Sequence, residues 1–209
     1  MYAIRVNENT RVNQVSSRTH PVRSDSNLIG FFIGVNTMKQ IPLTQGKFAL
    51  VDDEYYKWLN QWKWWAVKGT NTWYAVRNVY HNGIKTNIRM HREILGLESG
   101  DPREGDHCNH NGLDNRLGNL RICTPSQNQH NRRPNKNCFS AFKGVGWHKG
   151  GSYWQARIRF NGNLKHLGCF ASEIEAAKAY NQKAIELFGK YAYLNSMKVR
   201  ILCKTKSTY

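Results

Sequence analysis

The sequence predicts an α+β protein: a small N-terminal α+β segment, a central strand-strand-helix clamp, and a C-terminal three-stranded antiparallel sheet packed on one helix. Three observations carry this. Tyr153 to Phe160 alternates apolar and polar side chains between Gly150-Gly151 and Asn161-Gly162, two strong hairpin turns, as a half-buried strand requires. Ala176, Ala177, Ala179, Tyr180, Ala184 and Leu187 recur at helical spacing between Ser172, a good N-cap, and Gly189, a good stop. Around the chain's middle, short apolar runs are broken by Asn, Asp and Gly until Thr124-Pro125 opens a helix.

In order, residues 1–37 are rich in Asn, Ser, Arg and Thr and are expected to be a disordered extension, with Met38 as the natural start. Residues 38–97 form a Trp-rich α+β support segment. Phe48 to Val51 is a strand, Asp52 or Asp53 caps a helix through Leu59, and Trp62 to Val67 enters a hairpin that turns at Lys68 to Asn71. Thr72 to Val79 returns, Ile84 to Ile88 is a further strand, and Met90 to Leu95 a helix. Trp58, Trp62, Trp64, Trp65 and Trp73 are expected mostly to fill a small core. His91 or Arg92 is expected to point outward, to phosphate or solvent.

Residues 98–131 hold the most pointed stretch, DHCNHNGLDNRLGNLRICTPSQNQHN from Asp106 to Asn131. Gly105 to Cys108 reads as a strand, Asn109 to Asn115 as a loop around Gly112, and Asn119 to Cys123 as a second strand. Thr124 then caps a helix with Pro125 in its first position and Asn128 in its opening turn. Cutting a phosphodiester needs a base for the attacking water and a cation beside the leaving oxygen. Asp106 and Asn128 supply hard oxygen ligands of the kind Mg²⁺ or Mn²⁺ accepts. His107, pointing to the other side of the strand, titrates near neutrality and suits the base. His130 is the reserve ligand.

Residues 132–139 are a basic linker in which Arg132 and Arg133 can track phosphates. Residues 140–196 hold strands at Lys143 to Lys149, Tyr153 to Phe160 and Leu164 to Phe170, then the helix from Glu173 to Phe188. The sheet face away from that helix carries Arg157 and Arg159, with Lys143, His148 and Lys165 on flanking strands or turns, and a face of that width can enter a major groove. Residues 197–209 are a tail.

Composition bounds the partner. The 209 residues carry 31 Lys+Arg against 14 Asp+Glu, a net charge of +17, which suits a polyanion and makes duplex DNA the expected partner. No apolar run approaches a membrane span of about twenty residues, and a cytoplasmic protein, in a host cell's cytoplasm if phage-encoded, is expected. The five cysteines contain no C-x-x-C pair, so no zinc ribbon is expected and the thiols read as reduced.

Asp106-His107, the loop Asn111 to Arg116, Asn119-Leu120-Arg121 and Asn128 resemble the HNH endonucleases of phage and intron-homing type, in the variant with Asn in the helix. That resemblance implies a ββα-metal fold, His107 as general base, Asp106 and Asn128 as metal ligands, and Asn119 as the residue holding the loop and orienting His107. Lys143-Gly-Val145, Trp154 to Arg159, His166 to Phe170, Glu175 to Tyr180 and Ala192 to Asn195 resemble the Apetala-two/ethylene-response-factor DNA-binding domain. It implies major-groove binding through Lys143, His148, Arg157, Arg159 and His166. Together these suggest a metal-dependent homing-type nuclease, a monomer or weak dimer that nicks duplex DNA. The rival is a DNA-binding regulator without catalysis.

Overall fold

The computed structural model describes residues 37–81, 83–135 and 138–197. The expectations for residues 1–36, for 136–137 of the linker and for 198–209 of the tail lie outside them. The α+β class holds, with every strand pairing antiparallel.

Strand β1 (Met38–Pro42), which the sequence reading does not single out, pairs with β2 (Phe48–Asp52). Only Ile41 of β1 is buried, so its apolar alternation is too thin to read. Helix α1 (Asp53–Leu59) starts after Asp52, whose carboxylate makes no cap bond. It accepts instead from the amide of Leu117, 2.6 Å away, across 65 residues of sequence. The backbone of Leu50 completes that seam: its N–H donates to Leu113 O and its carbonyl accepts from Asn115 N, both at 2.8 Å.

Strands β3 (Trp65–Lys68), β4 (Trp73–His81) and β5 (Ile84–Arg89) make a meander, and α2 (Met90–Ile94) follows at once. Ile41, Val51, Leu59, Trp64, Ala75, Met90 and Ile94 form one core that also takes in Leu120 of the central clamp. Trp64 is buried, and Trp58 and Trp62 pack against the same core, so these three rings are structural. Beside it, the Arg77 guanidinium stacks 4.0 Å from the Trp62 ring and forks onto Glu93. With both partners nearly buried, losing either would strand a charge in a dry place.

The clamp is β6 (Glu104–His107) paired with β7 (Leu120–Cys123) and followed by α3 (Pro125–Asn131). Thr124 and Gln127 form a full capping box, which satisfies two of the N–H groups that a helix start leaves free.

In the C-terminal unit, β8 (Val145–His148), β9 (Tyr153–Phe160) and β10 (Asn163–Phe170) form a sheet with β9 central, and α4 (Glu173–Phe188) lies across one face. Ala156 and Ile158 meet Ala176, Ala177, Tyr180 and Ala184 in two adjoining clusters. Small alanines let the helix come close. Gly144 shows how close: a Cβ there would sit 2.1 Å from the Tyr180 ring, and its φ is +76°.

Candidate nuclease site

The register of β6 and β7 sets Asp106 opposite Arg121 and His107 opposite Leu120. Neighbouring positions on a strand face opposite ways, so the two acquire different surroundings. Asp106 is buried and accepts from Arg121 through Nε at 2.9 Å and Nη2 at 2.6 Å, both on Oδ2. The Nδ2 of Asn131, at the end of α3, donates to the same carboxylate at 2.9 and 3.2 Å.

The helix residue on Asp106 is therefore Asn131, where the sequence reading expects Asn128. Asn128 lines the same cleft, but its Nδ2 donates at 2.6 Å to Glu104, two residues before Asp106 on the strand. One turn of helix separates the two asparagines, and the turn nearer the α3 C-terminus is the one that reaches Asp106. His130, the reserve candidate, stacks its ring flat on Phe188 with centroids 3.8 Å apart.

His107 lies on the other side of the strand, almost wholly buried. Its Nε2 is 3.3 Å from Asn115 Oδ1. With that oxygen as acceptor, Nε2 carries the proton and Nδ1 keeps its lone pair. The His91 ring meets it edge to face with centroids 4.7 Å apart, and Tyr74 packs against both imidazoles. Burial pushes the His107 pKa below its ordinary value, against the pull of Asn115 and of the Asp106 and Asp114 charges. Burial lowers His91 much further, helped by His107 itself. Both rings are thus neutral at neutral pH.

The outward placement expected for His91 or Arg92 is corrected by the same contacts. His91 turns inward, and Arg92 directs its guanidinium to the carbonyls of Glu98 and Arg103. Gly105 makes room, since a Cβ there would stand 2.7 Å from the His91 ring.

Asn119 holds the loop, as its position suggests, without touching His107. Its Oδ1 accepts from Asn109 N at 3.0 Å and its Nδ2 donates to Asp114 O at 2.7 Å. Asn109 donates in turn to the Asp114 carboxylate, which Arg116 also grips. The Arg116 bonds hold the Asp114 carboxyl below its usual range. Gly112 is required here because a Cβ would lie 2.4 Å from Trp73 O. The side chain that hydrogen-bonds His107 is Asn115, four positions earlier, whose Nδ2 is buried with no partner among the described residues.

Asp106 and His107 both border a cleft of about 340 Å³, with Tyr74 and Asn131 in its wall. Arg89, Arg132 and Arg133 stand around it. The run at 132–133 thus belongs to the cleft as well as to the connection. A buried aspartate, a neutral imidazole and three arginines lining one opening suit a phosphodiester held by its charge and attacked by water.

On the C-terminal sheet, the register pairs Arg157 with His166 and His148 with Tyr153, and paired residues share a side. Arg157, Arg159, His148 and His166 therefore occupy the exposed face away from α4. Two expected members do not. Lys165 pairs with Ile158 and so lies on the helix side, with Nζ 5.7 Å from the Phe160 ring. The Nζ of Lys143 turns away from the sheet to the C-terminus of α3, donating to the carbonyls of His130 at 2.6 Å and Arg132 at 2.8 Å. Burial there lowers its pKa to about 8.

Asn115, Asn131, Arg121 and His91 escape the sequence reading as site residues. Asn131 had a signal: it stands one helical turn beyond Asn128. His91 is expected to reach phosphate or solvent, and its inward turn to His107 had no signal, because that partner lies across the fold.

Among known proteins, no family model and no solved structure matches the chain. Two curated proteins do. Protein 3.8 of Escherichia phage T7 is 30% identical over 107 residues, half of this chain and 88% of its own. An uncharacterized HNH endonuclease, L560, of Acanthamoeba polyphaga mimivirus is 32% identical over 195 residues, covering 90% of this chain and 97% of its own. With the Asp-His strand, the asparagine-tied loop and the short helix in place, and this likeness running nearly end to end, the chain belongs to the HNH endonuclease family.

Proposed function

We propose that the protein is a metal-dependent endonuclease of homing type that nicks duplex DNA, with His107 as general base and Asp106 and Asn131 as the protein's metal ligands. The observation that carries this is the placement of Asp106 and His107 on consecutive positions of β6, each buried, both opening on one arginine-rimmed cleft. A divalent cation fits the donor set. Asp106 offers a carboxylate and Asn131 an amide oxygen, available by turning over the amide that now donates through Nδ2, and both are hard donors that Mg²⁺ or Mn²⁺ prefers. When bound, such an ion supplies positive charge beside the leaving oxygen.

The chain's own groups do the rest. The three guanidinium groups hold the phosphate, Nδ1 of His107 accepts the water's proton, and Asn115 keeps Nε2 protonated and the ring fixed. Tyr74 and His91 wall the imidazole from bulk water and so keep it neutral and ready. The exposed face with Arg157, Arg159, His148 and His166 grips the duplex, in keeping with the net charge of +17. One carboxylate-amide pair serves one ion, so one copy cuts one strand.

Supercoiled plasmid with Mg²⁺ or Mn²⁺ tests this directly. The protein should relax it by nicking, and His107→Ala should abolish nicking while retarding DNA on a gel as the parent does. Undiminished cutting by His107→Ala would remove the base. A parent that binds duplex but cuts with neither metal would be a DNA-binding regulator instead.

A further inference from the structure

The C-terminal unit touches the immediate neighbours of the two side chains just assigned to the metal. Arg121, which forks onto Asp106, donates through Nη1 to the backbone carbonyl of Lys190. Its guanidinium also lies 4.8 Å from the Tyr191 ring, and the Tyr191 hydroxyl donates to Ile122 O at 3.1 Å. Arg121 is thereby held from both ends, its side chain only 15% exposed.

Asn131's own carbonyl meets His110 Nε2 of the clamp loop at 2.6 Å, and the carbonyls on either side of it are held from the C-terminal unit. Asn131 ends α3, where the last carbonyls of a helix have no partner of their own. Lys143 takes those of His130 and Arg132, and the Tyr193 N–H donates to His130 O. Each of these donors comes from the C-terminal unit. His130 stacks on Phe188, which fixes the same end of the helix sideways.

We infer that the segment 189–193 is a positioning element of the nuclease site, acting through Arg121 on Asp106 and through the α3 C-terminus on Asn131. Arg121 and Tyr191 are positioning residues in this scheme, with no contact to substrate. Both bonds from Arg121 fall on Oδ2 of Asp106, which fixes the carboxylate's rotation and orients Oδ1. A second consequence concerns where the cut falls. Because the unit is docked on the clamp and not merely tethered to it, the exposed sheet face and the cleft keep one spacing.

The inference rests on the proposed nuclease reading, and Tyr191→Ala tests it because that change removes the ring and hydroxyl but no charge. Mn²⁺ binding to the free protein, followed by electron paramagnetic resonance, should weaken about 10-fold, in the range that outer partners of metal ligands command. The Mn²⁺ concentration for half-maximal nicking should rise in step, with recovery at saturating Mn²⁺. Duplex affinity in EDTA should stay as in the parent. Tyr191→Phe, which keeps the ring under the guanidinium, should restore most of the loss. Should Tyr191→Ala fail to fold, Arg121→Lys, which keeps the charge but cannot reach Asp106 and Lys190 together, takes its place with the same expected shift.

Folded variants that bind Mn²⁺ and nick like the parent, or that lose duplex affinity in proportion to cutting, would overturn the inference alone. A parent that cuts with neither metal would overturn the nuclease reading and this inference with it.

Discussion

Two neighbouring residues on one strand acquire opposite surroundings because of what each faces. Asp106 looks toward Arg121 and Asn131 and sits in a web of donors. His107 looks toward His91, Tyr74 and Asn115, where burial favours the neutral ring. The sign of that shift sets the pH profile. A base whose pKa is held by burial below its ordinary value stays unprotonated to lower pH than a free imidazole, so the half-point of the acid limb of nicking should fall beneath pH 6.5. Initial rates of plasmid nicking across pH 5 to 8 check this, and a half-loss above pH 6.5 would contradict it. The two asparagines of α3 should separate just as sharply. Asn131→Ala should reduce nicking on the order of 100-fold, at the upper end of what disturbing a metal site costs, whereas Asn128→Ala, which frees Glu104, should cost less than about 10-fold. Equal effects in the same plasmid assay would return Asn128 to the ligand set.

At the level of elements, α3 is a helix of seven residues, too short to persist by propensity alone. Its capping box and its Lys143 plug carry weight for that reason. Thr124→Ala should cost about 1 kcal/mol in urea unfolding, the usual effect of a lost N-cap side chain, and should raise the metal requirement by loosening Asn131. The start of this helix was legible, since Thr124 and Pro125 each state a preference for one position. So were β9 and α4, where alternation and 3.6-residue spacing run long enough to leave one solution. Strand β1 was not, with one buried side chain in five. Nor was the choice between Asn128 and Asn131, which turns on how far along β6 the short helix sits. Lys143 and Lys165 show a different limit: a motif can place a cation near a sheet, but the face it takes depends on register and on what docks nearby.

Across the whole molecule, the basic surplus was readable from composition, and its division was not. Part of it faces outward on the C-terminal sheet, part surrounds the cleft at Arg89, Arg132 and Arg133, and part is bound up inside the protein at Arg77, Arg121 and Lys143. Among the described residues no helix is long and apolar enough to cross a membrane. The seam at Leu50 and Asp52 carries one last implication. Those two residues supply partners to Leu113, Asn115 and Leu117 inside the clamp's loop, and Leu120 of the clamp is buried in the N-terminal core. The nuclease motif is therefore a tenant of that core and not a portable cassette. A peptide limited to residues 98–131 should show no cooperative melting by circular dichroism and bind no Mn²⁺, while residues 37–197 should melt as a folded protein.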